Sequence, residues 1–247
     1  MISFSMLLIN NNRSKAYLQN IIKNGFLPNK IIVLNDNNIT LVEHTENDKI
    51  ISKDTSQKFI RSLEDLSISF DEKEHVLKTI KDNNIDHVIL DTLDINASEV
   101  IQEIKVLDDE YVIYSGPGGT ILRQEILSQS KKFIHVHPGW LPKFRGSTTI
   151  YYSMLLESKV GASVILFEEG IDEGPVLYKA EYQIKEKNID FDYVLDPLVR
   201  TKTLMEFLKS NIISQTDQNH NEDSSTFYII HPLLKHISIL NHNGRLK

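Results

Sequence analysis

Residues 131–174 read KKFIHVHPGWLPKFRGSTTIYYSMLLESKVGASVILFEEGIDEG, and residue type alone places a strand at the start of this stretch. Phe133, Ile134 and Val136 favour extended backbone, and Pro138-Gly139 stops it. Side chains alternate faces along a strand, so His135 and His137 point the same way, at or just beyond its carboxyl end. Open α/β sheets hold their ligands at that end. Further on, SVILFEEGIDEGPVLYKAEYQI predicts a second apolar strand, an acidic glycine turn around Asp172 and a return strand. Two imidazoles and a carboxylate near strand ends form a candidate acid–base cluster.

Each of these residues also has a structural reading. A His pair in a strand is often a packing feature, and an Asp near Gly is often only a turn residue. The order His-x-His-Pro, Leu-Pro, Arg-Gly, Asp-x-Gly within one short segment favours chemistry. Two His and an Asp can ligate zinc. A His-x-His pair followed at once by Pro-Gly, with no third ligand nearby in sequence, is a weak metal signature, so no metal is expected.

Outward from this segment the chain alternates strands and helices. SFSMLLIN (3–10) fits a buried strand, and SKAYLQNIIKNG places Tyr17, Leu18, Ile21 and Ile22 on one helical face before Gly25. KIIVLND is the next strand, completing a βαβ unit with a parallel pair. Residues 36–58 are polar and read as irregular connection. FDEKEHVLKTIKDNN carries Val76, Leu77 and Ile80 on a helical stripe, HVILDT is a strand, NASEVIQEIK a helix and YVIYSG a strand. The pattern predicts an α/β, Rossmann-like core with a mostly parallel sheet over residues 1–184. Residues 185–247 form an extension. In it a helix with Pro197 in its first turn buries Leu198, Thr201, Leu204, Met205 and Leu208, a polar linker follows, and a short strand-like, hairpin-like tail ends the chain. FYIIHPLLKHISIL in that tail is apolar enough to dock on the core or on a second copy of the chain, which allows a homodimer.

Composition excludes several classes. The 247 residues carry 27 basic and 34 acidic side chains, a net charge of −7, with no basic stripe of the kind a nucleic-acid binder shows. No apolar run reaches the ~20 residues that span a bilayer. The start, MISFSMLLINNN, has no basic leader and reads as a first strand, and cysteine is absent, compatible with the cytoplasm. Gly116, Gly118 and Gly119 do not fit G-x-G-x-x-G and lie far from the first βα turn, which argues against a phosphate cradle.

The segment resembles the signature of formyltransferases that use 10-formyltetrahydrofolate: Asn-x-His-Pro-(small)-x-Leu-Pro, then Arg-Gly, then an Asp-x-Gly turn. His137-Pro138-Gly139-Trp140-Leu141-Pro142, Arg145-Gly146 and Asp172-Glu173-Gly174 match it, and Ser115-Gly116-Pro117-Gly118-Gly119 resembles the family's glycine loop. His135 stands where the family has Asn. The resemblance implies proton transfer and oxyanion contact by His137, and orientation of that ring, or proton acceptance, by Asp172. It implies an oxyanion donor at His135. It places the pterin end of the folate at Gly116, Gly118, Gly119, Ile121 and Leu122, and at Phe167, Glu169, Gly170 and Ile171. Lys143, Arg145 and Tyr151 are candidates for holding the acceptor.

Relatives acting on initiator tRNA carry a further full domain that 247 residues would not hold, and the acidic charge points the same way. The stretch HPGWLPKFRGSTTIYYS resembles most the amino-sugar N-formyltransferases of surface-glycan (pseudaminic-type) pathways. Their acceptor is the primary amine of a nucleotide-linked sugar, with no nucleic acid or membrane partner. The alternatives are formylation of glycinamide ribonucleotide, hydrolysis of formyltetrahydrofolate, and folate binding without catalysis.

Overall fold

The computed structural model describes residues 2–35, 58–127, 129–214, 216–218 and 225–245. The connection expected over 36–58 lies almost wholly outside them, as does most of the polar linker before Ser225. The chain divides into two compact units.

The first unit (Ser3–Arg61 and Phe70–Lys131) is the predicted parallel α/β layer. Its strands β1 (Phe4–Leu8), β2 (Lys30–Leu34), β5 (Asp86–Leu90) and β6 (Tyr111–Ser115) pair in parallel in the order β6-β1-β2-β5. β1 lies inside this layer, and all five of its residues are buried. Helix α1 (Asn12–Lys23) starts at Asn11, whose side chain accepts from the Ser14 amide, and ends before Gly25 at φ +79°. It buries Tyr17, Leu18 and Ile21, the expected stripe.

A two-stranded ribbon, β3 (Ile60–Leu63) with β4 (Ile68–Asp71), precedes α2 (Val76–Asp82). Periodicity ran this helix back to Phe70. The structure gives Phe70 to β4 and starts the helix after His75, whose Nδ1 accepts from the Leu77 amide at 3.1 Å. A side chain that caps the backbone overrides helical spacing there. Helices α3 (Ser98–Lys105) and α4 (Gln124–Leu127) complete the unit.

The second unit (residues 132–247, with Met1–Ile2 and Ser62–Ser69) is built on β7 (Lys132–His137), β9 (Val160–Leu166) and β10 (Val176–Tyr182), antiparallel in the order β7-β9-β10. Every residue of β9 is buried. Between β7 and β9 lie β8 (Phe144–Gly146) and α5 (Thr149–Glu157). Helix α6 (Asp196–Ser210) packs on β9 and β10, burying the five residues predicted, with Pro197 in its first turn. The tail supplies β11 (Ser225–Phe227), which pairs in parallel with β8, and then α7 (Pro232–His242), packed on α5. The helix was not read from the sequence; His231 starts it by accepting from the Leu233 amide.

Candidate active site

β7 ends at His137, and the chain then turns back over its neighbour. Ser163 on β9 lies opposite His137 and fastens this turn, its hydroxyl donating to the Gly139 carbonyl (2.7 Å) and accepting from the Leu141 amide (3.0 Å). Gly139 is required by close approach: a Cβ there would sit 2.5 Å from the Phe144 carbonyl oxygen and 2.7 Å from His137 Nε2. On the far side of β9 the acidic turn brings Asp172 round at φ +54°, a conformation Asp tolerates better than most residues. Gly174 makes that turn possible, since a Cβ there would overlap the Leu166 carbonyl oxygen at 1.8 Å.

The three predicted catalytic side chains meet. His137, only 2% exposed, places Nδ1 3.2 Å from Asp172 Oδ2 and Nε2 2.7 Å from the Phe144 carbonyl oxygen. Asp172 Oδ2 also accepts from the Gly146 amide at 3.0 Å. His135 stacks on Phe167, ring centroids 4.7 Å apart. One ligand-capable atom from each of His135, His137 and Asp172 lies within 4.8 Å of the other two.

His137 has an acceptor at each ring nitrogen, a carboxylate at one and a carbonyl at the other. Only the doubly protonated ring donates to both. Burial pushes the Asp172 carboxyl up, but the charge and hydrogen bond of His137, the His135 ring and the Gly146 amide outweigh it and hold it at about 2.

Two residues that sequence reasoning missed lock the turn. Gln218 Nε2 donates to the carbonyls of Asp172 (2.8 Å) and Gly174 (2.9 Å), while its Oε1 accepts from Arg145 Nη2 (3.0 Å). Arg145, 6% exposed, also pairs with Glu173 at 3.2 Å. Nothing marked Gln218 among the polar residues around it. Phe144 acts through its carbonyl, which no sequence pattern shows.

The candidate acceptor residues are placed differently. Arg145 is part of the buried bracket just described. Lys143 is ion-paired with Glu157. Tyr151 is buried, stacks on Phe191 and donates its hydroxyl to Asp192 at 2.7 Å. Burial and Asp192 raise that phenol further above its ordinary value. Of the candidate folate residues, Phe167 lies against His135, Ile171 is exposed, and Gly170 faces the Glu173 side chain.

Gly116, Gly118, Gly119, Ile121 and Leu122 belong to the first unit. Their loop is tied by Arg13 to the Gly116 carbonyl, by the Tyr114 hydroxyl to the Pro117 carbonyl (2.9 Å), and by Asn96 to the Ile121 carbonyl and the Arg123 amide. Gly116 leaves room for the Tyr114 ring, Ile121 is exposed and Leu122 is buried.

The formyl transferase family model matches residues 32–193, about two thirds of the chain. The chain belongs to that family. Among curated relatives it is 34% identical over 148 residues to the methionyl-tRNA formyltransferase of Pelagibacter ubique, a match covering 60% of this chain and 45% of that protein. It is 33% identical over 112 residues to that of Campylobacter lari, covering 45% and 36%. The chain thus spans less than half the length of these relatives. In fold it is similar to WlaRD, a sugar 3N-formyl transferase crystallised in the presence of dTDP and 5-N-formyl-THF (TM-score 0.52, 22% identity, 92% of this chain and 70% of that one). It is similar too to an N-formyltransferase from Helicobacter canadensis in complex with folinic acid and dTDP-3-aminofucose (TM-score 0.52, 19% identity, 92% and 71%). A third likeness is phosphoribosylglycinamide formyltransferase from Streptococcus pneumoniae TIGR4 (TM-score 0.53, 13% identity, 85% and 99%).

Proposed function

We propose that this formyl transferase moves the formyl group of 10-formyltetrahydrofolate to the primary amine of a nucleotide-linked amino sugar, in the cytoplasm, for surface-glycan synthesis. The observation that carries the chemistry is the pairing of buried His137, at the end of β7, with Asp172, and His135 beside them. The amine nitrogen bonds to the formyl carbon, and an oxyanion develops before the carbon–N10 bond breaks. His137 exchanges the Phe144 carbonyl for that oxygen, stabilises it and gives N10 the proton it takes on leaving; the proton that the attacking amine sheds returns to His137, and Asp172 holds the ring throughout. His135 donates a ring N–H to the same oxygen.

The backbone of Phe167, Glu169, Gly170 and Ile171 holds the pterin. Assignment of Gly116, Gly118, Gly119, Ile121 and Leu122 to it rests on the resemblance. Lys143, Arg145 and Tyr151 remain the acceptor candidates, each of which would have to exchange its present partner for substrate.

The sugar reading is supported by the two sugar N-formyltransferase structures that align with 92% of this chain. The sequence relatives act on tRNA, by name, so that substrate is the second reading; a net charge of −7 weighs against a polyanion. Among the described residues no helix is long and apolar enough to cross a membrane. Exposed Tyr228, Ile229 and Leu233 on the tail support a homodimer.

The test is release of tetrahydrofolate from 10-formyltetrahydrofolate with dTDP-linked amino sugars, glycinamide ribonucleotide, aminoacylated initiator tRNA or no acceptor. Release that depends on the nucleotide-linked sugar is expected. Release only with tRNA or only with glycinamide ribonucleotide would overturn the substrate. Release without acceptor would make the protein a hydrolase, and folate binding without release a binding module.

A further inference from the structure

His137 Nε2 lies 2.7 Å from the Phe144 carbonyl oxygen, which fixes a proton on that nitrogen. A neutral ring so held turns an Nδ1 lone pair toward Asp172 Oδ2 at 3.2 Å. Two lone pairs at that distance repel, so the arrangement asks for a shared cation. One solution is a proton, as in the ion pair above. The other is a metal ion. With bonds of about 2.0–2.2 Å, neighbouring ligands of a tetrahedral ion lie about 3.3–3.6 Å apart, close to the 3.2 Å between His137 Nδ1 and Asp172 Oδ2. His135 brings a third ligand atom within 4.8 Å of the others and closes the remaining gap when the ion binds. A metal-bound imidazole also commonly donates its second N–H to a backbone carbonyl, as His137 does to Phe144.

The supports around these ligands are built as well. Phe167 stacks on His135 and fixes the plane of its ring. The Gly146 amide donates to the Asp172 oxygen, and Gln218 holds the backbone of the turn. Two imidazoles and one carboxylate leave a fourth position open to water, and this donor set suits a borderline transition ion better than Mg²⁺ or Ca²⁺.

We propose that His135, His137 and Asp172 form a binding site for a divalent transition-metal ion of the zinc class. Occupancy commits the His137 lone pair to the metal and puts the ion where the formyl group would react. The loaded protein is therefore inactive in formyl transfer, and the site serves as an inhibitory metal switch.

Co²⁺ is the probe. Chelator-treated protein is titrated with Co²⁺ and the visible d–d absorption of a four-coordinate ion is followed, with no folate or acceptor present. A saturable band at one equivalent is expected, displaced by Zn²⁺. Loss of an outer hydrogen bond to a ligand costs about 10–100-fold in metal affinity. His135→Asn and Asp172→Asn, which remove ligands, should therefore each weaken binding by at least ~10-fold, while His236→Asn on the tail leaves it unchanged. Circular dichroism of the same samples shows whether each variant is folded, and with two ligand variants the loss of one still leaves a test. Absence of a saturable band, or equal affinity in wild type and a folded ligand variant, would overturn the site. Inhibition by Zn²⁺ that is relieved by the chelator in wild type is the expected second readout, and activity unaffected by bound metal would overturn the switch. Because the Co²⁺ titration uses no substrate, it stands or falls separately from the formyl-transfer reading.

Discussion

The end of β7 and the segment only a few residues beyond it contain similar side chains put to opposite uses. At β7, His137, Asp172 and His135 converge, and the strongest charges are directed at one another within a single cluster. In the following segment, Lys143, Arg145 and Tyr151 disperse, to Glu157, to Glu173 with Gln218, and to Asp192. The first arrangement concentrates unlike groups where a reaction could use them. The second pairs each group locally and fastens the loop and helix that carry it. Polar residue type is therefore a poor guide to function; convergence is a better one.

Asp172→Asn should break the first region most visibly. With the ring's counter-charge gone, turnover is expected to fall ~100-fold or more. Asp172 titrates near 2 when folded against 3.8 ordinarily, a difference that contributes about 2 kcal/mol of stability. A depressed carboxyl stabilises fully above its unfolded value and loses that contribution as pH falls toward its folded one. In chelator-treated protein the unfolding free energies of wild type and Asp172→Asn should differ most above pH 3.8, and converge as pH drops toward 2. Parallel curves across that window would mean the pair is not charged in the folded protein.

His135 sharpens the comparison. As an oxyanion donor it needs one N–H in the right place, so His135→Asn should keep substantial turnover while His135→Ala loses ~100-fold. Were His135 a second titrating group, Asn would fail too and the pH–rate profile would lose one limb. A ring that only packs against Phe167 would show itself as a lowered melting temperature with turnover intact.

Gln218→Ala should sit between the two regions in effect. It strips the Asp172 and Gly174 carbonyls of their donor, at about 1–3 kcal/mol for a buried group left unsatisfied, and leaves Arg145 with Glu173 as its remaining side-chain partner. Melting should fall, and turnover should drop about 10-fold through misplacement of Asp172, a loss Gln218→Glu would not repair because it lacks the amide donor. Unchanged turnover in a destabilised protein would leave Gln218 with a purely structural role. The smallest effect is expected in the second region: Lys143→Ala breaks a half-exposed ion pair worth no more than ~1 kcal/mol, with turnover within about threefold of wild type. A large rise in the KM of the acceptor would instead return Lys143 to the substrate site.

Legibility in the sequence followed the range of the interaction. The βαβ layer, the α6 stripe and the β7–turn–β9 order were readable because periodicity and Gly/Pro punctuation are local signals. The meeting of His135, His137 and Asp172 was readable because alternation puts the two rings on one face and the β9–β10 turn returns Asp172 to it. The start of α2 was not, since a His75 side chain that caps the backbone looks like any other residue on a helical stripe. Nor was α7, whose apolar residues fit a strand as well as a helix until His231 and Pro232 set its first turn. Gln218 and the Phe144 carbonyl were illegible for stronger reasons: Gln218 acts on Asp172, far away in sequence, and Phe144 acts on nearby His137 through its backbone, which residue type does not reveal.

The most direct test of the His137–Asp172 pair as the catalytic centre is a single-turnover measurement of formyl transfer from bound 10-formyltetrahydrofolate. Wild type and His137→Ala would be compared with a nucleotide-linked amino sugar as acceptor, and folate affinity determined in parallel. A rate ~100- to 10,000-fold lower with folate affinity preserved is the expected result. A rate within a fewfold of wild type would contradict the assignment outright.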